Sequence, residues 1–164
     1  MTATLLTAET LSWVGRTLPT YVHEVGRSDI AKFARSIGAR AAVHYDPAAA
    51  RAAGYRECAA PLGYYVAVRL SAPNLIDLGD LGADGVAAVG IPPSNATKVM
   101  AGTTRARFGR RIVAGDVITL DATITDITEK SGRSGPLILV DYRYRYRDSD
   151  GEIVVEENYS RVLR

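Results

Sequence analysis

Residues 36–70 read SIGARAAVHYDPAAARAAGYRECAAPLGYYVAVRL, a polar, turn-forming segment that runs straight into an almost unbroken apolar stretch. It holds His44, one of two histidines in the chain, with Asp46 shortly after it, and the single cysteine, Cys58. Asp46 followed by Pro47 reads as a helix N-cap with proline at the first helical position. The alanine-rich run after it stops at Gly54, a residue suited to a helix C-terminus. From Pro61 onward, LGYYVAVRLSA carries apolar side chains on every side, which predicts a buried helix. A sheet wrapped around that helix would account for the pattern.

Upstream, Thr20 to Val25 alternates and is β-branched, so it reads as a strand punctuated by Gly26. Ile30, Phe33, Ala34 and Ile37 then fall at i, i+3, i+4 and i+7, an amphipathic helix with Ser28 as its expected N-cap and Gly38 as its stop. Residues 1–16 read as an N-terminal arm or short helix anchored by Trp13. Downstream, residues 73–93 are rich in glycine and proline and read as a long loop. From Thr97 the period changes to two, giving four strands: 97–108, 115–130, 136–148 and 152–164. Short turns, SGRSG and DSDG, join the last three into an antiparallel meander. Helices grouped in the first half and strands in the second describe an α+β chain with one antiparallel sheet of about five strands. Alternation puts Tyr142, Tyr144 and Tyr146 on one strand face and the intervening arginines on the other, so the tyrosines form an apolar surface suited to the interior or to self-association.

Composition sets the outer limits. A chain of 164 residues has the size of one domain. Its 47% hydrophobic and 23% charged residues are globular values. The net charge of +2, from 20 basic and 18 acidic residues, is too small to point to nucleic acid. A lone cysteine makes no internal disulfide, the first residues lack the pattern of a signal peptide, and Arg69 closes the longest apolar run well short of a membrane span. A cytoplasmic protein that neither binds nucleic acid nor crosses a membrane is the expectation. Two histidines at unrelated positions with one cysteine form no metal-ligand set, and no glycine motif for phosphate is present.

Taken in order, these stretches resemble the hotdog fold, and more narrowly the MaoC-like and FAS1-like dehydratases that act on 3-hydroxyacyl thioesters. DIAKFARSIG looks like the helix leading into the hydratase motif. HYDPAAARAAGYRECAAP is similar to the second half of that motif and the entry to the central helix. FGRRIVAGDVITLDATITDITEK resembles the family's Gly-Asp turn, here Gly115 and Asp116, with its flanking strands, and GEIVVEENYSRVLR resembles the closing strand. The likeness spans roughly Tyr21 to Arg164. The family's motif is Gly-Asp-x-Asn-Pro-x-His, in which the aspartate and histidine are the catalytic pair. Here Gly38 and His44 stand at their places, but the aspartate position is Ala39 and the asparagine position is Ala41.

The resemblance implies a dehydratase or hydratase of 3-hydroxyacyl thioesters in fatty-acid or polyketide-type metabolism. No cofactor is implied beyond the coenzyme A or phosphopantetheine of the substrate. His44 would be the base, and the backbone amides of Leu62 or Gly63, at the start of the central helix, would hold the thioester oxygen. The acid missing at Ala39 would have to come from Asp46, Tyr45, Tyr64, Glu57 or a second subunit. Tyr64, with Tyr65, and Cys58 are candidates for lining the acyl pocket, Cys58 as a small buried hydrophobe. Arg110 and Arg111, with Arg105 and Arg107, are candidates for the phosphates of coenzyme A or for an acidic acyl carrier protein. His23 has no motif around it and reads as structural. The implied assembly is a homodimer, or a heterodimer with another hotdog subunit. The alternatives are a non-catalytic acyl-binding subunit of a heteromeric dehydratase, or a hotdog protein reused for thioester hydrolysis or cyclisation.

Overall fold

The computed structural model describes residues 5–71, 90–133 and 135–164. Its elements run α1 (Ala8–Leu11), β1 (Tyr21–Glu24), α2 (Arg27–Ser36), a 3-10 turn (Ala42–His44), α3 (Pro47–Ala52), α4 (Tyr64–Ser71), β2 (Val99–Phe108), β3 (Val117–Gly132), β4 (Gly135–Arg147) and β5 (Ile153–Leu163). The expected loop at 73–93 lies outside the described residues for all but its last few positions. The strands form one antiparallel sheet of five, ordered β1-β3-β4-β5-β2, and β3, β4 and β5 make the expected meander.

Period-two patterning decides which strand face is interior. Ile118, Leu120, Ala122 and Ile124 of β3 face inward, as do Ile138, Val140, Tyr142, Tyr144 and Tyr146 of β4. A bulge between Ile124 and Asp126 shifts the register by one residue and returns Ile127 to the core. Of the two placements expected for the tyrosines, they take the interior, where the chain itself covers them. Tyr65 of α4 meets Tyr146 edge-on at 5.8 Å between ring centroids. The arginines between the tyrosines point outward, where Arg145 pairs with Glu156 at 3.2 Å and Arg147 with Asp121 at 3.5 Å.

Two other expectations need correction. Helix α2 is capped by Gly26 rather than Ser28. A Cβ at position 26 would stand 2.5 Å from an Asp29 carboxylate oxygen, so the acidic side chain in the first turn occupies the space a capping side chain would need. Helix α4 is buried on one stripe only. Tyr64, Tyr65 and Val68 are inside, while Leu70 is 60% exposed. Other features hold: Asp46 accepts the Ala48 N–H at 2.8 Å as the cap of α3. Gly38 adopts φ +71° past the end of α2, which lets the Ala39 N–H reach back to the Ala34 carbonyl at 2.8 Å.

The two margins of the sheet differ. On one side, Gly15 to Leu18 runs along β3, with the Gly15 N–H on the Ile124 carbonyl and the Leu18 N–H on the Ala122 carbonyl, both at 2.8 Å. Pro19 interrupts this arm before the four-residue β1 begins. On the other side, β2 has ten residues and, among the described residues, β5 as its only neighbour in the sheet. No helix among the described residues is long and apolar enough to cross a membrane.

A carboxylate closes the interior under α4. Glu157 is fully buried on β5, and its Oε1 accepts the Thr104 hydroxyl at 2.8 Å. Its Oε2 accepts the Tyr146 hydroxyl at 2.8 Å and pairs with Arg69 of α4 at 3.2 Å. The Arg69 guanidinium also lies over the Tyr159 ring at 4.2 Å. Replacing Glu157 by alanine leaves Arg69 buried without a counter-charge. The expected cost is about 3–5 kcal/mol, read as a lower urea midpoint at unchanged slope.

Candidate active site around His44

The 3-10 turn that carries His44 is short, so neighbouring chain must hold it. Residues 58–60 do this. The Ala59 N–H donates to the Val43 carbonyl at 2.9 Å, and the His44 Nδ1–H donates to the Ala59 carbonyl at 2.6 Å. The same segment is fixed from its other side, with the Ala60 N–H on the Ile112 carbonyl at 2.8 Å and the Ala114 N–H on the Cys58 carbonyl at 2.9 Å. A carbonyl oxygen only accepts, so the ring proton of neutral His44 sits on Nδ1 and Nε2 keeps its lone pair. His44 is buried, 6% exposed as a whole residue, so its orientation is set by this bond and by packing.

Five residues beyond Ala59 the chain enters α4. The Tyr64 N–H donates to the Pro61 carbonyl at 2.9 Å and the Val66 N–H to the Gly63 carbonyl at 3.1 Å. The N–H groups of Leu62 and Gly63 make no hydrogen bond among the described residues. Free donors at the head of a helix favour a developing negative charge. His44 and these amides therefore belong to one continuous segment, clamped at Ala59.

The side chains considered for the missing acid are engaged elsewhere. The Tyr45 hydroxyl donates to the Ala39 carbonyl, and Asp46 caps α3. Glu57 accepts the Cys58 N–H and Arg27, both at 2.9 Å. The Cys58 N–H, followed by Arg27, holds the Glu57 carboxyl below its ordinary range, so it stays ionised at neutral pH. Tyr64 is 2% exposed and meets His23 Nε2 at 3.2 Å. Burial is the main cause that pushes its hydroxyl up to about 12. Ala39 brings no proton. Cys58 is fully buried, and burial first, then Glu57, raises its thiol above the ordinary value.

The two candidate phosphate-binding arginines also brace the fold. Arg110 makes a two-pronged pair with buried Asp116, at 2.8 and 3.1 Å, and reaches Asp148 at 2.9 Å. Asp116 also accepts the Val113 N–H at 2.8 Å and pairs with Arg56. Arg111 donates to the Ala60 carbonyl at 3.1 Å, which stiffens the segment leading to Pro61. A cleft of about 610 Å³ lies beside Arg110 and Asp116. Arg56, Arg110 and Arg111 face Asp116, Asp148 and Asp150 across it, leaving no surplus positive charge. Sequence reasoning missed the Ala59 carbonyl, for which a backbone group gives no signal. It also missed the contact between His23 and Tyr64, since nothing local marks residues so far apart in the chain.

The five-stranded sheet against one central helix, with a histidine-bearing motif before that helix, defines the hotdog class of dehydratases and hydratases. The FAS1-like dehydratase domain region matches residues 12–157, and the chain belongs to that family. It is 33% identical over 146 residues to a UPF0336 protein of Streptomyces avermitilis, covering 88% of this chain and 87% of the relative. Two solved structures share the fold. The HadBC (3R-hydroxyacyl-ACP dehydratase) complex of Mycobacterium tuberculosis aligns with TM-score 0.68 at 22% identity, over 93% of this chain and 97% of that one. The R-hydratase PhaJ1 of Pseudomonas aeruginosa aligns with TM-score 0.64 at 21% identity, over 92% and 81%.

Burial of Cys58 predicts that iodoacetamide at pH 8 leaves the native protein unlabelled and modifies it once urea has unfolded the chain, checked by mass spectrometry. Removing the α3 cap by Asp46→Ala should cost about 1 kcal/mol in chemical denaturation.

Proposed function

We propose that this chain takes part in the reversible removal of water from a 3-hydroxyacyl thioester, with His44 as the base. The observation that carries this reading is the bond from His44 Nδ1–H to the Ala59 carbonyl, which leaves Nε2 as the acceptor nitrogen and ties His44 to the segment that leads to the Leu62 and Gly63 amides, which make no hydrogen bond among the described residues. In the dehydration direction, Nε2 takes a proton from the carbon next to the thioester carbonyl. The electrons of that C–H bond move toward the carbonyl oxygen, where the two N–H groups stabilise the enolate. As the carbonyl re-forms, the C3–O bond breaks and the hydroxyl leaves as water with a proton from an acid. Hydration runs the same steps in reverse. The acyl group arrives on coenzyme A or on the phosphopantetheine of a carrier protein.

The acid comes from a second hotdog subunit in this reading. Ala39 stands where the motif has its aspartate, and Tyr45, Asp46 and Glu57 are committed to other partners. A 3R-hydroxyacyl-ACP dehydratase that is a complex is named in HadBC, whose fold this chain shares.

The assay measures enoyl-thioester formation from 3-hydroxyacyl substrates, first with the purified chain and then with a co-expressed hotdog partner. His44→Ala should lower kcat by roughly 100- to 10,000-fold, the usual contribution of a positioned acid or base. Wild-type turnover by that variant overturns the assignment. Full activity of the purified chain alone, with no second subunit type present, overturns the two-chain part of it.

A further inference from the structure

We infer that His23 is a positioning residue for the amides of Leu62 and Gly63 and acts on them through Tyr64. This rests on the proposed role of those amides as holders of the thioester oxygen. His23 lies on β1, remote in sequence from the hydratase motif, yet its ring bridges the margin of the sheet to the first residue of the central helix. Its Nε2 is 3.2 Å from the Tyr64 hydroxyl and its Nδ1 is 3.4 Å from the Tyr21 hydroxyl. Tyr64 is 2% exposed, and its hydroxyl has no other hydrogen-bond partner among the described residues. A buried O–H requires an acceptor, so Tyr64 donates to Nε2. The imidazole proton then sits on Nδ1 and points to Tyr21.

This linkage bears on the amides through the chain's local geometry. Gly63 immediately precedes Tyr64, the first residue of α4, so the peptide plane that carries its N–H is set by how the head of the helix is anchored. The Tyr64 ring is held from two sides. Phe33 of α2 packs edge-on against it at 5.5 Å, and His23 takes its hydroxyl. Packing alone leaves an aromatic ring free to slide along its plane, whereas a directed hydrogen bond at the far end fixes its reach. The groups facing His23 are Tyr21 on its own strand, Tyr64 from α4, Asp29 from α2 and the uncharged Ile118 opposite it on β3. Burial pushes His23 below its ordinary value, with Asp29 opposing in part, so the ring is neutral at pH 7. Protonation would put a hydrogen on Nε2 and take away the acceptor for Tyr64. The folded-state value lies below the unfolded one, so this contribution to stability is complete above pH 6.5 and fades as pH falls through the folded value.

The test uses the full chain, with its partner subunit where turnover requires one, and crotonyl-CoA as the probe. Two readouts are followed: the backbone amide resonances of Leu62 and Gly63 during titration, and kcat and KM for hydration. In the wild type both amides shift downfield on saturation. His23→Ala should lose those shifts and lower kcat by roughly 10- to 100-fold, the scale of a small misplacement of catalytic groups, with KM nearly unchanged. His23→Gln, whose carboxamide oxygen accepts from Tyr64, should restore both, and its stability should lose the acid-side decline. Tyr64→Phe removes only the hydroxyl and should reproduce the His23→Ala loss, with no further loss in the double variant. It carries the same test if His23→Ala fails to fold. Normal shifts and normal kcat in His23→Ala, alongside an inactive His44→Ala, overturn the positioning role and leave His44 as base. Absence of both shifts and turnover in the wild type overturns the proposed function and this inference together.

Discussion

A buried carboxylate sets the terms for the interior. Glu157 sits on the inner face of β5 with no access to water, where an ion without partners would be prohibitively costly. Its oxygens draw in Thr104 from β2, Tyr146 from β4 and Arg69 from α4, so one side chain ties three sheet strands to the helix they cover. Burying an ion pair is seldom the cheapest way to stabilise a fold, since a well-packed apolar pair often does as well. What such a pair adds here is direction. Apolar packing lets a helix slide on a sheet, whereas Arg69 meets Glu157 at one axial position of α4 only.

That axial constraint is matched at the other end of the same helix by the bond from Tyr64 to His23. Between the two anchors α4 presents Tyr65 and Val68 to the sheet, and just before it lie the free amides of Leu62 and Gly63. The clamp of Ala59 on both Val43 and His44 then places the imidazole relative to the helix start. Each link is a single hydrogen bond or ion pair, modest in net energy. Together they turn a short apolar segment into a fixed reference for the site.

Much of this architecture was legible in residue patterns. The change to period two after Thr97 announced the meander because strands with one buried face must alternate, and Gly38 and Asp46 marked helix ends through requirements of the backbone itself. The reading failed where two local solutions compete. Ser28 is a good capping residue, but the Asp29 carboxylate already fills the space at Gly26. The apolar run after Pro61 overstated burial, because periodicity cannot tell a helix covered all round from one with Leu70 left open. His44 was recoverable from its motif. The partners that give it and Tyr64 their orientation were not, since Ala59 acts through its backbone and His23 is 41 residues away from Tyr64. Arg110 shows what composition hides: a basic cluster in sequence suggested a ligand, and the pairing of Arg110 with Asp116 and Asp148 depends on the folded chain bringing them together.

The unequal margins of the sheet bear on how copies of such a fold can add together. A strand can be appended wherever backbone N–H and C=O groups stand unpaired in a long, regular row. Among the described residues β2 has a strand on one side only, its pairing with β5 bulged between Ala101 and Thr104, whereas the opposite margin is a broken arm whose Pro19 lacks a donor and whose regular part is four residues long. A molecule that can grow from one side alone cannot propagate. Once two β2 edges have met, each has used the one long border that the described strands leave open, so strand addition through that border closes a pair.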